Sequence, residues 1–257
     1  DRLFAWCIKN QLFLNLDKCY TISFLNIKSN INFDYQINIQ LLKRVFEIKD
    51  LGIVFDAALS FKSHYSYIAK KALKMWGFIW RICKDLSPLS LKTLYCSLVR
   101  SKLEYCSPVW TPIYKVDLEM LEKIQKRFLR TLEFKVGHRH IIGDYSWVMH
   151  TFNIPPLSVR RRVYDACVLH GLINGRIDNP HLLSELSFIV PVSNSRLTRS
   201  RIIFRVTSAL TNIVKNHPLR RMMLAANDLA GRREISIFDS TLSSFRHNVL
   251  LFYNNYN

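Results

Sequence analysis

Seven basic residues at helical spacing are the groups in this sequence best placed to do chemistry. Lys70, Lys71 and Lys74 fall in one stretch, and Lys123, Lys126, Arg127 and Arg130 in another. Lysine and arginine gathered on one helix face neutralise phosphates whatever the base sequence, which is the chemistry of holding a nucleic-acid backbone. A run of charge is more often a solvated face, but solvated helices mix signs and acids are scarce here. The chain carries 37 Lys+Arg against 19 Asp+Glu, a formal net charge of +18. An excess of that size asks for a polyanion, nucleic acid before an anionic membrane surface. Trp76, Trp80 and Trp110 could stack on bases, although tryptophan at stripe positions is usually core.

Other clusters carry less. His138-Arg139-His140 suggests a metal site, but no Cys or acid lies beside it at ligand spacing, so a loop of solvated histidines is expected. Cys167 and His170 could pair as ligands on one helix face, and a helical interior explains them as well. The six cysteines form no Cys-x-x-Cys pair and read as small buried residues in a reducing compartment. No glycine-rich phosphate loop or catalytic triad pattern is present. No apolar run reaches the ~18 residues of a membrane span, and no signal peptide is visible. The first residue is Asp1 rather than Met, so the chain is expected to begin inside something larger, or to have been processed or mispredicted at its start.

The elements that must position these residues change character along the chain. A short amphipathic helix is predicted over Arg2–Leu12, then β-rich pieces at Cys19–Leu25, Tyr35–Ile39 and Val45–Phe55. Gly52 interrupts the last of these, as a bulge or a place where another backbone comes close. From Phe61 the period becomes helical, with Tyr65, Ile68, Ala72, Trp76, Ile79 and Cys83 on one stripe ending near Asp85. Ser87-Pro88 starts a second helix through Leu103, broken by a turn at Pro108 to Pro112. A third carries Leu118, Leu121, Ile124, Phe128 and Leu132. Further helices are predicted at Leu157–Asn174, which opens on Arg160-Arg161-Arg162, at Leu219–Leu229 and at Ser240–Tyr253. Pro191–Arg201 reads as an exposed basic loop, and no internal repeat is found.

Several motifs follow one another over residues 1–132. The first is Trp6, Asn10, Leu14-Asn15 and Lys18. Next comes Leu51-Gly52, closed by Asp56. Then come Leu59-Ser60-Phe61 with His64, Lys70-Lys71-Ala72, the run from Leu98 to Tyr105, Val109-Trp110, and Ile124 to Arg130. In this order and spacing they resemble the non-LTR, LINE-type retrotransposon reverse transcriptases of the jockey- and CR1-like branches. The first stretch looks like the segment after the catalytic Asp-Asp strand, the second like the primer grip, and the rest like the thumb. The tail from Val159 is similar to the C-terminal extension.

The resemblance implies an α+β fold, predominantly α. It would have a small palm-remnant sheet (residues 1–60), a three-helix thumb (61–136) and a helical C-terminal extension (137–257). It implies a C-terminal fragment of an RNA-directed DNA polymerase that holds the template–primer duplex and RNA. The parent copies RNA from a nicked DNA 3′ end, so the expected partners are template RNA and target or primer DNA, with no membrane. The parent element is expected in nucleus and cytoplasm. Lys18 falls where the family places a lysine near the incoming nucleotide's phosphates, Gly52 where the primer backbone comes close, and the seven basic residues where a thumb meets phosphates. The family's palm carboxylates hold two Mg²⁺ ions in a Tyr-x-Asp-Asp strand. No adjacent aspartates exist here, and no zinc knuckle or endonuclease domain, so no cofactor and no catalysis are expected of this chain alone. Two alternatives stand beside this reading. One is a domesticated, non-enzymatic nucleic-acid-binding protein. The other is a basic structural or interaction protein whose charge serves an anionic membrane or an acidic partner.

Overall fold

The computed structural model describes residues 2–24, 33–138, 143–189, 202–209, 211, 214, 217–230, 235–238 and 240–255. The chain divides into two compact units, Asp1–Tyr67 and Ile68–Asn257. The fold is α+β and predominantly helical, as the change of period near Phe61 predicts.

The first unit opens with helix α1 (Arg2–Lys9) and a 3-10 turn (Leu16–Lys18) capped by the Asn15 side chain. Its strands are short: β1 (Tyr20–Ile22), β2 (Gln36–Ile37), β3 (Gln40–Leu41), β4 (Lys43–Val45), β5 (Glu47–Asp50) and β6 (Ile53–Asp56). They make three two-stranded pairs, β1 with β4 parallel and β2–β3 and β5–β6 antiparallel. The bulge reading of Gly52 gives way to a two-residue hairpin turn between Asp50 and Ile53. Leu51 (φ 43°) and Gly52 (φ 89°) both take positive φ, as the tight turns that match strand twist require.

Asp56 then redirects the chain from strand to helix. Its carboxylate accepts from the backbone N–H of Ala58 (3.1 Å), Ser60 (3.0 Å) and Phe61 (2.7 Å) and from the Ser60 hydroxyl (3.2 Å). These bonds hold Leu59 and Phe61 at positive φ, where a non-glycine residue needs outside support. Helix α2 (Lys62–Ile82) follows, and in its first turns the buried His64 accepts the Val54 N–H at Nδ1, 3.3 Å away. Burial pushes the His64 pKa down to about 4, which keeps the ring neutral and Nδ1 an acceptor.

The second unit takes the rest of α2 and a 3-10 turn (Cys83–Asp85). Ser87 caps the next helix by accepting the Ser90 N–H at 3.1 Å, with Pro88 at its first position, as predicted. The helix is not uniform: α3 (Pro88–Leu94) passes through a π-helical segment (Tyr95–Arg100) into α4 (Ser101–Glu104). The helix breaks as expected, just before Pro108: α4 ends at Glu104, Cys106 takes φ 55°, and Ser107–Trp110 form one separate helical turn, α5, in which a proline at the helix start gives up no needed N–H. Trp110 is buried there and donates its indole N–H to the Tyr105 carbonyl at 2.8 Å.

Next come α6 (Lys115–Lys135), α7 (Ser146–Thr151), α8 (Leu157–Ile173), α9 (Pro180–Ser184), α10 (Pro218–Leu229) and α11 (Leu242–Asn255). The short α7 and α9 carry too few periodic residues to be seen in sequence. α8 packs against both α10 and α11, around Val163, Ala166, Leu169, Met222, Phe245 and Val249. It also touches α4, α5 and α6, and residues 68–136 and 137–257 lie in one unit. Pro191–Arg201 lies outside the described residues.

Candidate nucleic-acid interface

The two basic stretches fall on helices whose other face is core. On α2, Ile68, Ala72, Trp76 and Ile79 are buried, and Lys70, Lys71 and Lys74 lie on the opposite side, exposed. On α6, Leu121, Ile124, Phe128 and Leu132 are buried, and Lys123, Lys126, Arg127 and Arg130 form the exposed stripe. Three-, four- and seven-residue spacings keep both stripes in line along their helices.

Ring packing fixes the two helices to one another. Phe128 meets Trp76 edge-on at 5.8 Å and stacks on Tyr95 at 3.9 Å. Seven residues further along α6, the Lys135 ammonium donates to the carbonyls of Cys83 (2.7 Å) and Lys84 (3.0 Å), beyond the end of α2. Two contacts in the same register make the helices run side by side in one direction. Each turns its basic stripe away from its own core face.

Lys70, Lys74, Lys123, Lys126, Arg127 and Arg130 form no ion pair among the described residues. The sequence of α2 contains no acid at all. Four acids of the unit, Glu104, Glu122, Asp165 and Asp228, are engaged on or with α8. The Glu122 carboxylate accepts the Leu157 (3.3 Å) and Ser158 (2.8 Å) N–H groups, capping α8 from another helix. The same carboxylate faces Arg161 at 3.7 Å. Glu104 takes both ends of the Arg160 guanidinium and the Tyr164 hydroxyl. Asp228 pairs with Arg162 at 3.5 Å, and Asp165 with Arg221 at 3.2 Å. Burial works against the Arg160 charge, and the Glu104 hydrogen bond and charge outweigh it, leaving its pKa above the ordinary value. Asp165 is pushed up by burial, and Arg221 opposes that rise.

Arg160 and Arg161 are thus turned inward, and Arg162 is paired while about half exposed. Sequence reading missed this because the acids that receive it lie far away in the chain. Among the candidate tryptophans, Trp76 and Trp110 are buried and Trp80 is about half exposed. Lys18 ends its 3-10 turn with an exposed side chain, and Gly52 sits at an exposed hairpin tip. Both belong to the first unit, and the seven other candidates belong to the second.

The metal-like clusters have other surroundings. Cys167 is pushed up to about 11 by burial, which disfavours the thiolate a metal needs. His170 is fully buried, stacked on Phe245 at 4.5 Å, with Nε2 3.0 Å from the Ser240 carbonyl. His138 stacks on Trp147 at 3.9 Å, and Arg139 and His140 lie outside the described residues. Among the described residues no group of three His, Cys, Asp or Glu side chains converges as a metal site, and no helix is long and apolar enough to cross a membrane.

No protein-family model, curated protein or solved structure matches the chain.

Proposed function

We propose that this chain holds nucleic acid through the outer faces of α2 and α6, as the C-terminal part of a non-LTR retrotransposon reverse transcriptase. The observation that carries the reading is a contrast within one unit: Lys70, Lys74, Lys123, Lys126, Arg127 and Arg130 form no ion pair among the described residues, while Arg160, Arg161, Arg162 and Arg221 each face a carboxylate. Unpaired surface cations repel one another, and a phosphate backbone relieves that repulsion. The first unit adds support of a different kind. Its buried apolar residues are only Cys7, Ile53, Val54, Ala57 and Tyr65 among the described residues, while Leu3, Trp6, Ile8, Phe13 and Phe46 are exposed. Such a unit fits a piece that completes its core against further polypeptide, as the end of a polymerase palm would. Its partners would be template RNA and primer DNA, with Mg²⁺ bound by the parent enzyme and not by these residues.

The test is a salt titration of the full chain on a labelled RNA–DNA duplex. The logarithm of affinity should fall linearly with the logarithm of salt, by roughly 0.9 for each phosphate contacted. Replacing Lys123, Lys126, Arg127 and Arg130 together with glutamine should flatten that slope, while stability moves by no more than about 0.5 kcal/mol per site. A salt-independent affinity in the unaltered chain would overturn the reading. Primer extension by this chain with Mg²⁺ should be absent, and robust extension would overturn the assignment to holding alone.

A further inference from the structure

Cations alone recognise phosphates and leave the bases unread. A nine-residue pattern of another kind recurs on the two helices, too short to count as a repeat of structure. Lys70 to Phe78 reads KKALKMWGF and Lys126 to Phe134 reads KRFLRTLEF. Both have two adjacent cations, a third cation three residues after the second, and a phenylalanine four residues after that. The central apolar positions of each pattern, Ala72 and Trp76 on α2 and Phe128 and Leu132 on α6, are buried. The closing phenylalanines are not: Phe78 is 52% exposed and Phe134 is 86% exposed.

Single exposed apolar residues are common on protein surfaces and mean nothing by themselves. These two differ in position. Helical geometry puts Phe78 in line with Lys71 and Lys74, and Phe134 in line with Arg127 and Arg130. Each ring therefore sits within a stripe of positive charge. The register set by Trp76 against Phe128 and by Cys83 against Lys135 places Phe134 about one turn, roughly 6 Å, further along the shared direction than Phe78. A flat ring flanked by cations matches a strand whose phosphates meet the charges and whose bases stack on the ring. In a duplex the base faces are already stacked on each other and are not offered to a side chain.

We infer that the basic faces of α2 and α6 take single-stranded nucleic acid, with the Phe78 and Phe134 rings stacked on its unpaired bases. This rests on the nucleic-acid reading above and narrows it from any phosphate backbone to a strand with free bases.

The experiment uses the full chain and three labelled probes of equal length: a mixed-sequence single strand of RNA, an abasic strand carrying the same phosphates, and an RNA–DNA duplex. The unaltered chain should prefer the intact strand over the abasic one by tenfold or more, since a stacked base contributes about that much per aromatic side chain. Phe78→Ala with Phe134→Ala should lower affinity for the intact strand to near that for the abasic strand. Affinities for the abasic strand and the duplex should stay unchanged, and so should the salt slope. Phe78→Trp with Phe134→Trp should retain the preference. Both positions are exposed, so melting of the double alanine variant should follow the unaltered chain, and a drop would mean that the rings pack internally and overturn the inference. Equal affinity for intact and abasic strands, with salt-dependent binding intact, overturns stacking and leaves phosphate holding in place. Loss of self-association with unchanged strand affinity assigns the rings to a protein contact and likewise overturns stacking. Absence of binding to all three probes overturns both readings together.

Discussion

The outer face of α6 and the start of α8 both carry a dense run of cations, and the two runs meet opposite fates. Lys123, Lys126, Arg127 and Arg130 project from α6 and form no ion pair among the described residues. Arg160, Arg161 and Arg162 each find a carboxylate: Glu104, Glu122 and Asp228. The run on α8 is the denser of the two and is the one that is internally paired, so charge density does not decide function. What decides it is whether the packing brings an acid opposite each cation. An internally paired arginine fixes one helix against another. An unpaired one keeps its charge for a ligand.

The contrast is sharpest where removing an acid does most harm. Glu104 is buried, and it holds Arg160, the Tyr164 hydroxyl and, at 3.9 Å, Arg100. Glu104→Gln strands a guanidinium in a poorly solvated site. Breaking such a pair costs about 3–5 kcal/mol, readable as a lowered urea midpoint with unchanged m-value. Replacing both members together, Glu104→Leu with Arg160→Met, should return most of that stability, because the desolvation penalty goes with the charges. A Glu104→Gln variant as stable as the unaltered chain would show that Arg160 keeps its solvation, and the difference between the two runs would disappear.

A third kind of basic residue marks the limit of the comparison. His64 is buried and stays neutral, held below its ordinary pKa by desolvation. The sign follows from linkage: the unfolded ring gains a proton near pH 6.5 and the folded ring only near 4, so the unfolded state binds more protons between them. Stability of the Asp1–Tyr67 unit should therefore be full above pH 6.5 and fall as pH drops toward 4. The loss is on the order of 3 kcal/mol at most. Protonation also turns Nδ1 into a donor, so the bond from the Val54 N–H is lost in the same window. The His64 ring protons in an NMR titration should report the low pKa, and His64→Gln should flatten the pH dependence. A ring that titrates near 6.5 would place it in water.

Much of this organisation is legible along the chain. The helical stripes from Tyr65 to Ile79 and from Leu121 to Leu132 fix which residues face the core, and so which cations face out. Ser87-Pro88 fixes a helix start by local hydrogen bonding. What is not legible is long-range. Nothing near Arg160 in sequence says that Glu104 will receive it. Nothing near Glu122 says that its carboxylate will cap α8. The π-helical segment at Tyr95–Arg100 also escapes, because its apolar spacing is that of an ordinary helix. Phe78 and Phe134 escape for a plainer reason. A phenylalanine in an apolar-rich helix reads as core until its exposure is known.

Arg162 tests the comparison at its weakest point. It belongs to the inward run by sequence, but it and Asp228 are both about half exposed, and their closest atoms are 3.5 Å apart. Its guanidinium also lies over the Tyr253 ring, 5.1 Å from the centroid. Water screens such a pair, so a double-mutant cycle with Arg162→Gln and Asp228→Asn should return a coupling of roughly 0.2–1 kcal/mol, far below that of Arg160 and Glu104. If α8 stands apart from the ligand face, Arg162→Gln should also leave the salt slope of duplex binding unchanged. A slope that falls by about 0.9 would count Arg162 among the phosphate contacts. An exposed pair would then be an arginine only loosely held by its acid, and the line between the two runs would pass through α8 itself.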